Sequence, residues 1–454
     1  MVHRFERPSG LTWWLQLTLC AGGALACALC SAPPADAYCV YVPNVESGGT
    51  CPPAEAQSIS VIDTTTNFLS AMIEGGFNSP TGPALTPDAR YLYIGNRGDK
   101  DQPGNTVSVI ETATNMVAAT VTVTPGSGPY SIAITPNGAF AYVTGQYSGT
   151  IMVLDTAKAL TDPFNAIVTT MEPSGLVLGT AAISPEGKFA YINACATPCN
   201  LSSPAFSMAV VDTSTNTIRT TVPGAGGTAW AITPNGEFLY GAVLFNNTVV
   251  VTDTAKALSD PSHAISATIQ VGSYPYAVAL TPDGHFAYVP NCGEYCMTDE
   301  ASSVSSVSVI DTTTNKVAAT IPLSAASGPT GVAITPDGAF AYVPEGWSNS
   351  VAVIDTAKAI TDPTHAVITN ITVCGPRPEG IVIASLPMCI DGRPTCVGDC
   401  SVDRQVTVDE ILSMVNIALG NANVGACEAG DANRDGQITI DEILTAVNNA
   451  LNGC

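Results

Sequence analysis

One short phrase recurs along the chain and limits the folds that the chain can adopt. It first reads "SVIDTTTN" at 60–67, and an acidic residue stands at the same point in each later copy. These acidic residues lie 41 to 58 positions apart, a period that is typical of solenoids and propellers. They are Asp63, Glu111, Asp155, Asp212, Asp253, Asp311 and Asp355.

Each repeat contains four short runs of residues that favour β-strands. In the last complete repeat the runs are "TGVAIT", "FAYVP", "SVAVID" and "AVITNITV". β-Branched residues dominate them, and a Pro-Asp-Gly or Pro-Asn-Gly turn separates the first two. We therefore expect four-stranded propeller blades with no room for helices, rather than a helical solenoid.

The two ends of the repeat region complement each other. After an expected leader, the chain starts with "YCVYVPN", which matches the second strand of a repeat. The region ends with "EGIVIASLP", which matches a first strand and has no second strand after it. The sequence therefore predicts an all-β, seven-bladed β-propeller over 38–387, with shared-blade closure by one C-terminal and three N-terminal strands.

The repeat region resembles the YVTN-repeat β-propeller family. The resemblance lies in "AYVTG", "AYVPN" and "AYVPE", in the "VIDT" phrases and in the "TPDG" turns. It covers about residues 38–387 and implies the propeller fold. It does not imply one activity, because propellers host many unrelated functions.

The first 37 residues have the pattern of a secretory signal peptide. Arg4 and Arg7 precede an apolar stretch at 11–29, and "ADA" at 35–37 offers a small-residue cleavage site. A retained membrane anchor is the alternative, because the stretch is nearly long enough to span a bilayer. We expect a secreted or cell-surface protein with no membrane contact after cleavage. The net charge of −23 also argues against nucleic acid and anionic membranes as partners.

Disulfides are expected in an exported chain. Removal of residues 1–37 would leave twelve of the 15 cysteines, an even number. The expected pairs are Cys195–Cys199, Cys292–Cys296, Cys39–Cys389, Cys51–Cys374, Cys396–Cys454 and Cys400–Cys427. Near the closure the rival pairing, Cys39–Cys51 with Cys374–Cys389, remains open. The four C-terminal cysteines allow three connectivities.

One face of the predicted propeller carries the longest loops. These loops cover 44–57, 96–105, 193–206, 291–306 and 344–349. They contain Asp99, Asp101, Glu294, Asp299, Glu300, Glu345 and Trp347. Because loops on a rigid scaffold often carry function, we expect this face to bind an extracellular protein or glycan.

Two loop-and-helix units follow a linker at 388–396 and form a separate module at 397–454. Their phrases, "DCSVDRQVTVDE" and "DANRDGQITIDE", place oxygen donors at the spacing of a calcium loop. Such hard donors favour Ca²⁺ over zinc or copper. The candidate ligands are Asp399, Ser401, Asp403, Gln405, Thr407 and Glu410, and then Asp431, Asn433, Asp435, Gln437, Thr439 and Glu442. The second loop is the stronger candidate, because Gly436 stands at its sharp sixth position whereas Arg404 stands there in the first.

Each loop is followed by a predicted helix, and no helix is expected before it. Calcium should therefore stabilise this module rather than switch it, because a sensor moves an entering helix against a leaving one. Apolar residues recur every four positions, so we expect each helix to present one stripe to the other. The stripes are Ile411, Val415 and Leu419, and Ile443, Val447 and Leu451.

The module resembles a dockerin, a duplicated loop–helix domain that docks onto cohesin partners. The resemblance covers about residues 396–454 and implies a small helical calcium-binding domain with a cohesin-like partner. It departs from the family pattern at the tenth and eleventh loop positions. Val408/Asp409 and Ile440/Asp441 stand where cohesin-binding dockerins often have Ser or Thr.

These features favour a secreted, non-catalytic binding or scaffold protein that carries a docking module. The sequence contains no G-x-S-x-G, H-E-x-x-H or phosphate-binding glycine motif. His263 and His365 occupy equivalent turns, His285 lies at a strand turn, and none has a recognisable nucleophile partner. Two alternatives remain open. One is an extracellular propeller enzyme or polysaccharide-degradation component attached by its tail, and the other is a surface-layer or adhesive protein.

Overall fold

The fold is seen in a computed structural model of the chain. It describes residues 38–46, 57–172, 176–196, 206–293, 304–373, 375–385, 400, 406–422, 427, 430 and 437–452. The expected leader at 1–37 and the linker at 388–396 lie outside these residues. Within them, every helix is too short or too polar to cross a membrane.

The described residues form seven sheets of four strands each. In chain order, the strands are β1 (Tyr38–Asn44), β2 (Ser58–Asp63), β3 (Phe68–Glu74), β4 (Pro80–Leu85), β5 (Tyr91–Gly98), β6 (Pro103–Glu111), β7 (Met116–Thr122), β8 (Pro129–Ile134), β9 (Phe140–Gly145), β10 (Thr150–Asp155), β11 (Ile167–Met171), β12 (Leu176–Ile183), β13 (Phe189–Ala196) and β14 (Phe206–Asp212). The others are β15 (Thr217–Pro223), β16 (Ala229–Ile232), β17 (Phe238–Val243), β18 (Thr248–Asp253), β19 (Ile265–Gln270), β20 (Ala279–Leu280), β21 (Phe286–Asn291), β22 (Ser306–Asp311), β23 (Lys316–Pro322), β24 (Ala333–Ile334), β25 (Phe340–Glu345), β26 (Ser350–Asp355), β27 (Val367–Thr372) and β28 (Val382–Ser385).

The sheets are the blades of a propeller. Blade 1 contains β28, β1, β2 and β3, and blades 2 to 7 take the following strands four at a time, from β4–β7 to β24–β27. The first strand of each blade lies innermost, and these strands contact one another around a closed ring that ends with β24, β28 and β4. The prediction of a seven-bladed all-β propeller is confirmed.

Blade 1 combines strands from both ends of the propeller region. β28 pairs antiparallel with β1, with Val40 opposite Ile383 and Cys39 opposite Ala384. The interface with blade 7 is apolar and buried, and it places Val40 and Val42 against Val353. Equivalent apolar clusters lie between the other neighbouring blades. The core is therefore a set of layers between blades rather than one central mass.

Short helices occur in three blades, so the expectation of no room for helices was wrong. They follow the third strand: α1 (Thr156–Thr161), α2 (Thr254–Ser259) and α3 (Thr356–Thr361). The acidic residue of the repeat phrase is the N-cap of each, and Asp155 Oδ1 accepts a hydrogen bond from Lys158 N at 2.9 Å. The reason is local, because "TAKA" consists of better helix formers than "TTTN".

The other acidic residues of the phrase close a tight turn. Asp63 Oδ1 accepts from Thr65 N at 2.8 Å, and Asp311 Oδ1 accepts from Thr313 N at 2.8 Å. The Asn that ends the phrase has a positive φ, as at Asn67 (55°) and Asn315 (53°). Asn tolerates this left-handed conformation better than most residues do. The acidic residues of the repeat therefore have a structural role.

Each blade buries a tyrosine on its second strand, and in five blades its hydroxyl donates a hydrogen bond to the outer turn of the next blade. Tyr342 Oη donates to Asn67 Oδ1 at 2.7 Å, and Tyr240 Oη donates to Asn315 Oδ1 at 2.7 Å. Where the next blade has a helix instead, the acceptor changes, and Tyr93 Oη donates to the carbonyl of Thr156 at 3.3 Å. The seven fully buried tyrosines are Tyr41, Tyr93, Tyr142, Tyr191, Tyr240, Tyr288 and Tyr342. Five of them, Tyr41, Tyr93, Tyr142, Tyr240 and Tyr342, donate to the outer turn of the next blade and so link neighbouring blades.

The C-terminal residues contain two further helices, α4 (Val408–Ala418) and α5 (Ile440–Asn452), which contact each other. Their buried cluster includes Met414, Ile417 and Ala446, with Ile411 and Ile443 packed beside it. The predicted stripe of α4 was therefore partly wrong. Leu419 is 69% exposed. It is the C-cap residue, where the helical spacing no longer holds.

The structure describes only some of the cysteines in the predicted disulfides. Cys400 and Cys427 form a disulfide with a Cα–Cα distance of 4.6 Å. Cys39 and Cys292 are also disulfide-bonded, but their predicted partners, Cys389 and Cys296, lie outside the described residues. The same holds for Cys199, Cys51, Cys374, Cys396 and Cys454.

The seven buried tyrosines predict that the protein loses stability at alkaline pH. Burial raises the pKa of Tyr142, Tyr191 and Tyr240 to about 12, whereas a tyrosine in the unfolded chain ionises near pH 10. The unfolded state therefore loses protons first, and stability falls as the pH rises above about 10. Each such tyrosine contributes about 1.4 kcal/mol per pH unit to this fall. Urea titrations between about pH 9 and 11.5 measure the slope.

Two single substitutions give this prediction its control. Tyr142→Phe removes one buried phenol and should make the slope less steep by one such increment. Tyr147→Phe removes a hydroxyl from a residue that is 39% exposed and should leave the slope unchanged. If the free energy of unfolding of the wild type does not change up to about pH 11, the buried tyrosines do not have the proposed role.

Candidate binding site at the channel mouth

The inner strands enclose a cavity of about 250 Å³ on the axis of the propeller. Six blades contribute one residue from a matching position, in or just before the first strand. In blade 4 the matching residue is Gly179, and the next residue, Thr180, lines the cavity instead. We call the seven lining residues the ring positions: Thr81, Tyr130, Thr180, Thr228, Tyr276, Thr330 and Glu379. A small residue follows each of them, which lets the inner strands approach closely. At Gly82, with φ of +59°, a Cβ atom would lie 2.2 Å from the carbonyl oxygen of Tyr130.

The ring positions lie at the end of the channel that faces the connections between blades. On that face the hairpin between the second and third strands packs on the connection into the same blade. Tyr147 N donates to Ser127 O at 3.0 Å, and Trp347 N donates to Ser327 O at 3.0 Å. We call this face the loop face, and we call the end of the channel there the mouth.

Two of the threonines at ring positions donate their hydroxyl hydrogen bonds to the backbone of the propeller itself. Thr228 Oγ1 donates to the carbonyl of Tyr276 at 3.0 Å, and Thr330 Oγ1 donates to the carbonyl of Pro378 at 2.6 Å. Each hydroxyl bridges to the next blade. By contrast, Thr180 Oγ1 is buried without a hydrogen-bond partner among the described residues. Thr180 is therefore the better candidate for contact with a ligand.

Glu379 and Arg97 form the charged pair of the mouth. Arg97 Nη1 lies 3.7 Å from Glu379 Oε1, and their side chains are 21% and 9% exposed. This distance is longer than a hydrogen bond, so the two charges attract without a direct bond. Arg97 Nε is buried and has no hydrogen-bond partner in the described part of the chain. Buried charged groups normally have such partners, which marks this pair as incomplete.

Two tyrosines from nearly opposite blades meet beside this pair. Tyr130 and Tyr276 lie close enough for each to affect the pKa of the other, and the guanidinium carbon of Arg97 lies 5.8 Å from the ring centre of Tyr130. Burial, and then the charge of Glu379, raise the pKa of Tyr130 to about 12. The charge of Glu379 is the main reason that the pKa of Tyr276 lies well above its usual value. Both phenols therefore stay protonated at neutral pH.

A second arginine and two exposed rings surround this cluster. Arg377 Nη1 lies 3.0 Å from Glu46 Oε1, and its guanidinium carbon lies 5.3 Å from the ring centre of Trp347. Burial alone would lower the pKa of Arg377, but the hydrogen bond to Glu46 and the charge of Glu379 raise it. Tyr147 lies close enough to Tyr130 to raise its pKa slightly. The cluster thus extends from Tyr147 to Trp347 across the mouth.

The predicted long loops of this face are shorter than expected in two blades. β5 continues to Gly98 and β6 starts at Pro103, so most of 96–105 is strand. β25 extends to Glu345, which is 1% exposed and accepts a hydrogen bond from Ser350 Oγ at 2.7 Å. Glu345 is therefore not a surface residue as expected. Trp347, by contrast, is 47% exposed. The central parts of the other three loops lie outside the described residues.

The histidines do not belong to this site. His263 Nδ1 lies 2.9 Å from Asp260 Oδ2, and His365 Nδ1 lies 3.0 Å from Asp362 Oδ2, each within its own exposed turn. Asn165 makes the same contact with an aspartate in the equivalent turn of blade 3. These side chains therefore close a repeated turn, which is a structural role.

Most candidate calcium ligands lie outside the described residues, including every ligand before Thr407 in the first loop and before Gln437 in the second. The two residues at the twelfth position are described. Glu410 and Glu442 are 8% and 7% exposed. Each accepts hydrogen bonds through Oε2 from the backbone N and the hydroxyl of the threonine three residues earlier. No metal-binding group of three or more ligands occurs within the described ranges.

The sequence analysis missed the mouth because it compared what the repeats share. The signal was in their differences. The matching position is Thr in three blades, Tyr in two, Gly at Gly179 and Glu only at Glu379. The residue after the β5 asparagine is Arg97, whereas the other blades have no basic residue there. Such departures from a repeat consensus mark candidate functional residues.

Comparison with known proteins supports the fold. No family model matches the sequence. The chain is similar to the seven-bladed beta-propeller protein Rv1057 of Mycobacterium tuberculosis, with 27% identity over 371 residues that cover 73% of this chain and 83% of that protein.

Solved structures resemble the chain at lower identity. One is the hydrazine synthase of Kuenenia stuttgartiensis, with a TM-score of 0.55, 20% identity, and coverage of 69% of this chain and 97% of that chain. Another is a putative 6-phosphogluconolactonase of Bacteroides fragilis, with a TM-score of 0.56, 15% identity, and coverage of 78% and 99%. A functionally unknown protein of Desulfotomaculum acetoxidans gives 0.53, 18%, 76% and 98%. At these identities the likeness concerns the fold alone.

Proposed function

We propose that this chain is an exported, non-catalytic binding protein that takes its ligand at the mouth of the propeller channel. Its C-terminal module then attaches it to a partner and is stabilised by calcium. The leader pattern at 1–37 supports export, and recovery from the medium of a chain that begins at Tyr38 tests it. An intact N-terminus in the membrane fraction would favour the anchor instead.

The observation that carries the binding proposal is the incomplete polar cluster at the mouth. Arg97 and Glu379 are largely buried, lie 3.7 Å apart, and leave the Arg97 Nε donor without a partner in the described residues. A ligand that accepts from Arg97 and donates to Glu379 would complete both groups. Ligand sites commonly combine an apolar wall with a few such convergent polar groups.

Binding is favoured over hydrolysis by the residues around the cavity. Glu379 is the one carboxylate among the described residues that line it. Glycoside hydrolysis typically uses two carboxylates on opposite sides of the bond to be cleaved. The remaining lining is mostly small, hydroxyl or apolar. This arrangement holds a ligand but offers no acid–base pair.

The scaffold of the site depends on how the propeller closes. We infer that the chain is a YVTN-type propeller in which blade 1 is the shared closing blade. Glu379 comes from the C-terminal segment that leads into β28, and its backbone N donates to Pro43 O of β1 at 2.9 Å. Closure then brings Glu379 beside Arg97 of blade 2, so the charged pair forms only in the complete ring.

The binding proposal predicts that a component of the protein's natural medium raises its thermal unfolding temperature. Culture filtrate is separated into small molecules, glycans and proteins, and each fraction is added to the wild-type chain. A ligand at a hundred times its Kd stabilises the folded state by about 2.7 kcal/mol. Differential scanning fluorimetry would detect this as a rise of several degrees.

Variants of the charged pair test whether this rise in unfolding temperature comes from binding at the mouth. Glu379→Gln and Arg97→Gln should remove the rise, measured against the baseline of each variant. Arg219→Gln is the control, because Arg219 is exposed on the outer strand β15 and lies 4.0 Å from Asp212. If no fraction gives a rise that depends on Glu379 and Arg97, the mouth is not a binding site.

The C-terminal module is proposed to be a dockerin-like domain with calcium as a structural ion. Its core is small, with Val406, Met414, Ile417, Cys427, Ile438 and Ala446 as the buried members. A domain of this size usually needs a disulfide or a metal ion to remain folded. The two Glu carboxylates are held at the N-termini of α4 and α5, where a twelfth-position ligand is required. The ligands would be the twelve oxygen donors named above.

Exposed apolar side chains on α4 and α5 support a docking role. Val408 and Leu412 on α4 are 72% and 53% exposed, and their equivalents Ile440 and Leu444 on α5 are 74% and 59% exposed. Such a cluster on a small soluble module commonly marks a protein contact. A cohesin-like protein is the partner that the dockerin resemblance implies.

Calcium removal should unfold the module and leave the propeller intact. Chelation should reduce the helical circular dichroism signal, while the main thermal transition of the propeller stays in place. Glu442→Gln keeps an oxygen for helix capping but removes the charged bidentate ligand, so calcium affinity should fall at least about tenfold. Isothermal titration calorimetry measures the affinity.

Glu410→Gln in the compromised first loop is the matched variant and should have the smaller effect. If chelation melts the propeller together with the module, the domain boundary is wrong. If Glu442→Gln binds calcium as the wild type does, the second loop is not the site.

Docking should depend on the exposed apolar pairs and on calcium. The full chain, immobilised in calcium, should retain a cohesin-like protein from the native secretome and release it on chelation. A variant with Leu412→Asp and Leu444→Asp should retain much less, with unchanged calcium affinity as its folding control. Equal retention by this variant, or no retention in calcium, would refute docking through these helices.

A further inference from the structure

We infer that the ligand of the mouth is a neutral glycan, held by polar groups at the cavity and by aromatic rings on either side. This inference rests on the binding role proposed above and names the class of ligand. It uses Tyr147 and Trp347 as flanking rings and the cluster of Arg97, Glu379 and Tyr130 between them.

The flanking rings are held in place by the chain itself. Gly128 and Gly328 occupy equivalent points in the connections into blades 3 and 7, with φ of +58° and +59°. A Cβ on Gly128 would lie 2.2 Å from the ring of Tyr147, and one on Gly328 would lie 1.7 Å from that of Trp347. Each ring therefore packs against a glycine, which limits its motion. Each also remains substantially exposed, at 39% and 47%.

The polar cluster lies between these two rings, because Glu379 and Arg97 belong to blades 1 and 2 and the rings to blades 7 and 3. Arg97 lies over Tyr130 and Glu379 faces Arg97, while Arg377 lies over Trp347. Tyr147 follows Gln146, whose backbone N donates to the carbonyl of Gly128, two residues before Tyr130. One ligand can therefore touch an aromatic ring and the buried charged pair at the same time.

A sugar matches a site that combines aromatic rings with polar groups. A pyranose ring presents C–H groups on its faces, and these are attracted to the electron-rich face of an aromatic ring. Its rim carries hydroxyl groups, which donate to a carboxylate and accept from a guanidinium or a phenol. The cavity of about 250 Å³ is below the usual range for drug-sized ligands, so it suits a single sugar unit. Neighbouring units would lie over the exposed rings.

The charge balance favours a neutral glycan over an acidic one. Arg97 and Arg377 are each matched by a carboxylate, Glu379 and Glu46. The mouth therefore has no surplus of positive charge to hold an anionic ligand. The whole chain has a net charge of −23, which repels acidic polysaccharides at longer range.

The two tryptophans beyond residue 37 provide a direct readout. Of the four in the chain, Trp13 and Trp14 lie in the expected leader, Trp230 lines the cavity, and Trp347 stands at the mouth. The probe protein is the full chain with Trp13→Phe and Trp14→Phe. Neutral oligosaccharides of glucose, mannose, galactose, xylose and N-acetylglucosamine, in α and β linkages, are titrated to millimolar concentration. Polygalacturonate fragments form the acidic arm.

We expect at least one neutral oligosaccharide to shift the tryptophan emission saturably. Trp347→Ala should weaken its binding about tenfold or more, measured through Trp230 and by calorimetry. Tyr147→Ala and Glu379→Gln should each weaken it several-fold. Phe164→Ala is the matched control, since Phe164 is 82% exposed in the turn after α1, and it should leave the affinity unchanged. Thermal unfolding of each variant confirms that it is folded.

Three results would overturn the inference. They are no emission shift and no calorimetric signal with any neutral probe, binding of the acidic fragments alone, or binding that Trp347→Ala and Glu379→Gln leave unchanged. If instead a protein or small-molecule fraction stabilises the wild type through Glu379 while every sugar fails, the binding role stands and the glycan assignment is wrong.

Discussion

The structure depends on one repeated interaction, the hydrogen bond from a buried tyrosine to the outer turn of the next blade. Apolar layers between blades attract but do not fix an orientation, because hydrophobic contact is not directional. A buried phenol needs a partner in a defined direction, so it sets how each blade lies on its neighbour. The bond from Tyr342 of blade 7 to Asn67 of blade 1 continues this arrangement across the two ends of the propeller region. The inner strands then enclose the channel.

The acceptor of this bond alternates, which reflects a duplicated pair of blades. Blades 3, 5 and 7 have a helix after the third strand, and blades 4 and 6 have an Asn turn. The helical blades also carry an aromatic residue in their loop-face hairpin: Tyr147, Phe245 and Trp347. The same two-blade period therefore appears on both faces, as a capped helix on one and an aromatic hairpin residue on the other.

The repeat made the fold predictable, because strand patterns, turns and acidic residues recur in every blade. The helices at 156, 254 and 356 were missed although "DTAKA" contains a capping residue followed by good helix formers. The sequence analysis expected every blade to have four strands and no helix, so it did not use that local signal. The contact between Arg97 and Glu379 was hard to predict for another reason, although each residue departs from the repeat consensus. Arg97 and Glu379 are 282 residues apart, and only closure of the ring brings them within 3.7 Å.

The position of the charged pair follows from the number of blades. A pattern that alternates between two kinds of blade cannot continue around a ring of seven. Two neighbours of the same kind must occur, and they are blades 1 and 2, where both outer turns end in an Asn, Asn67 and Asn115. Arg97 belongs to blade 2, and Glu379 enters blade 1. The charged pair therefore lies where the alternation of the two kinds of blade is broken. A propeller with an odd number of blades must have one junction between two blades of the same kind, and the charged pair of Arg97 and Glu379 lies at that junction.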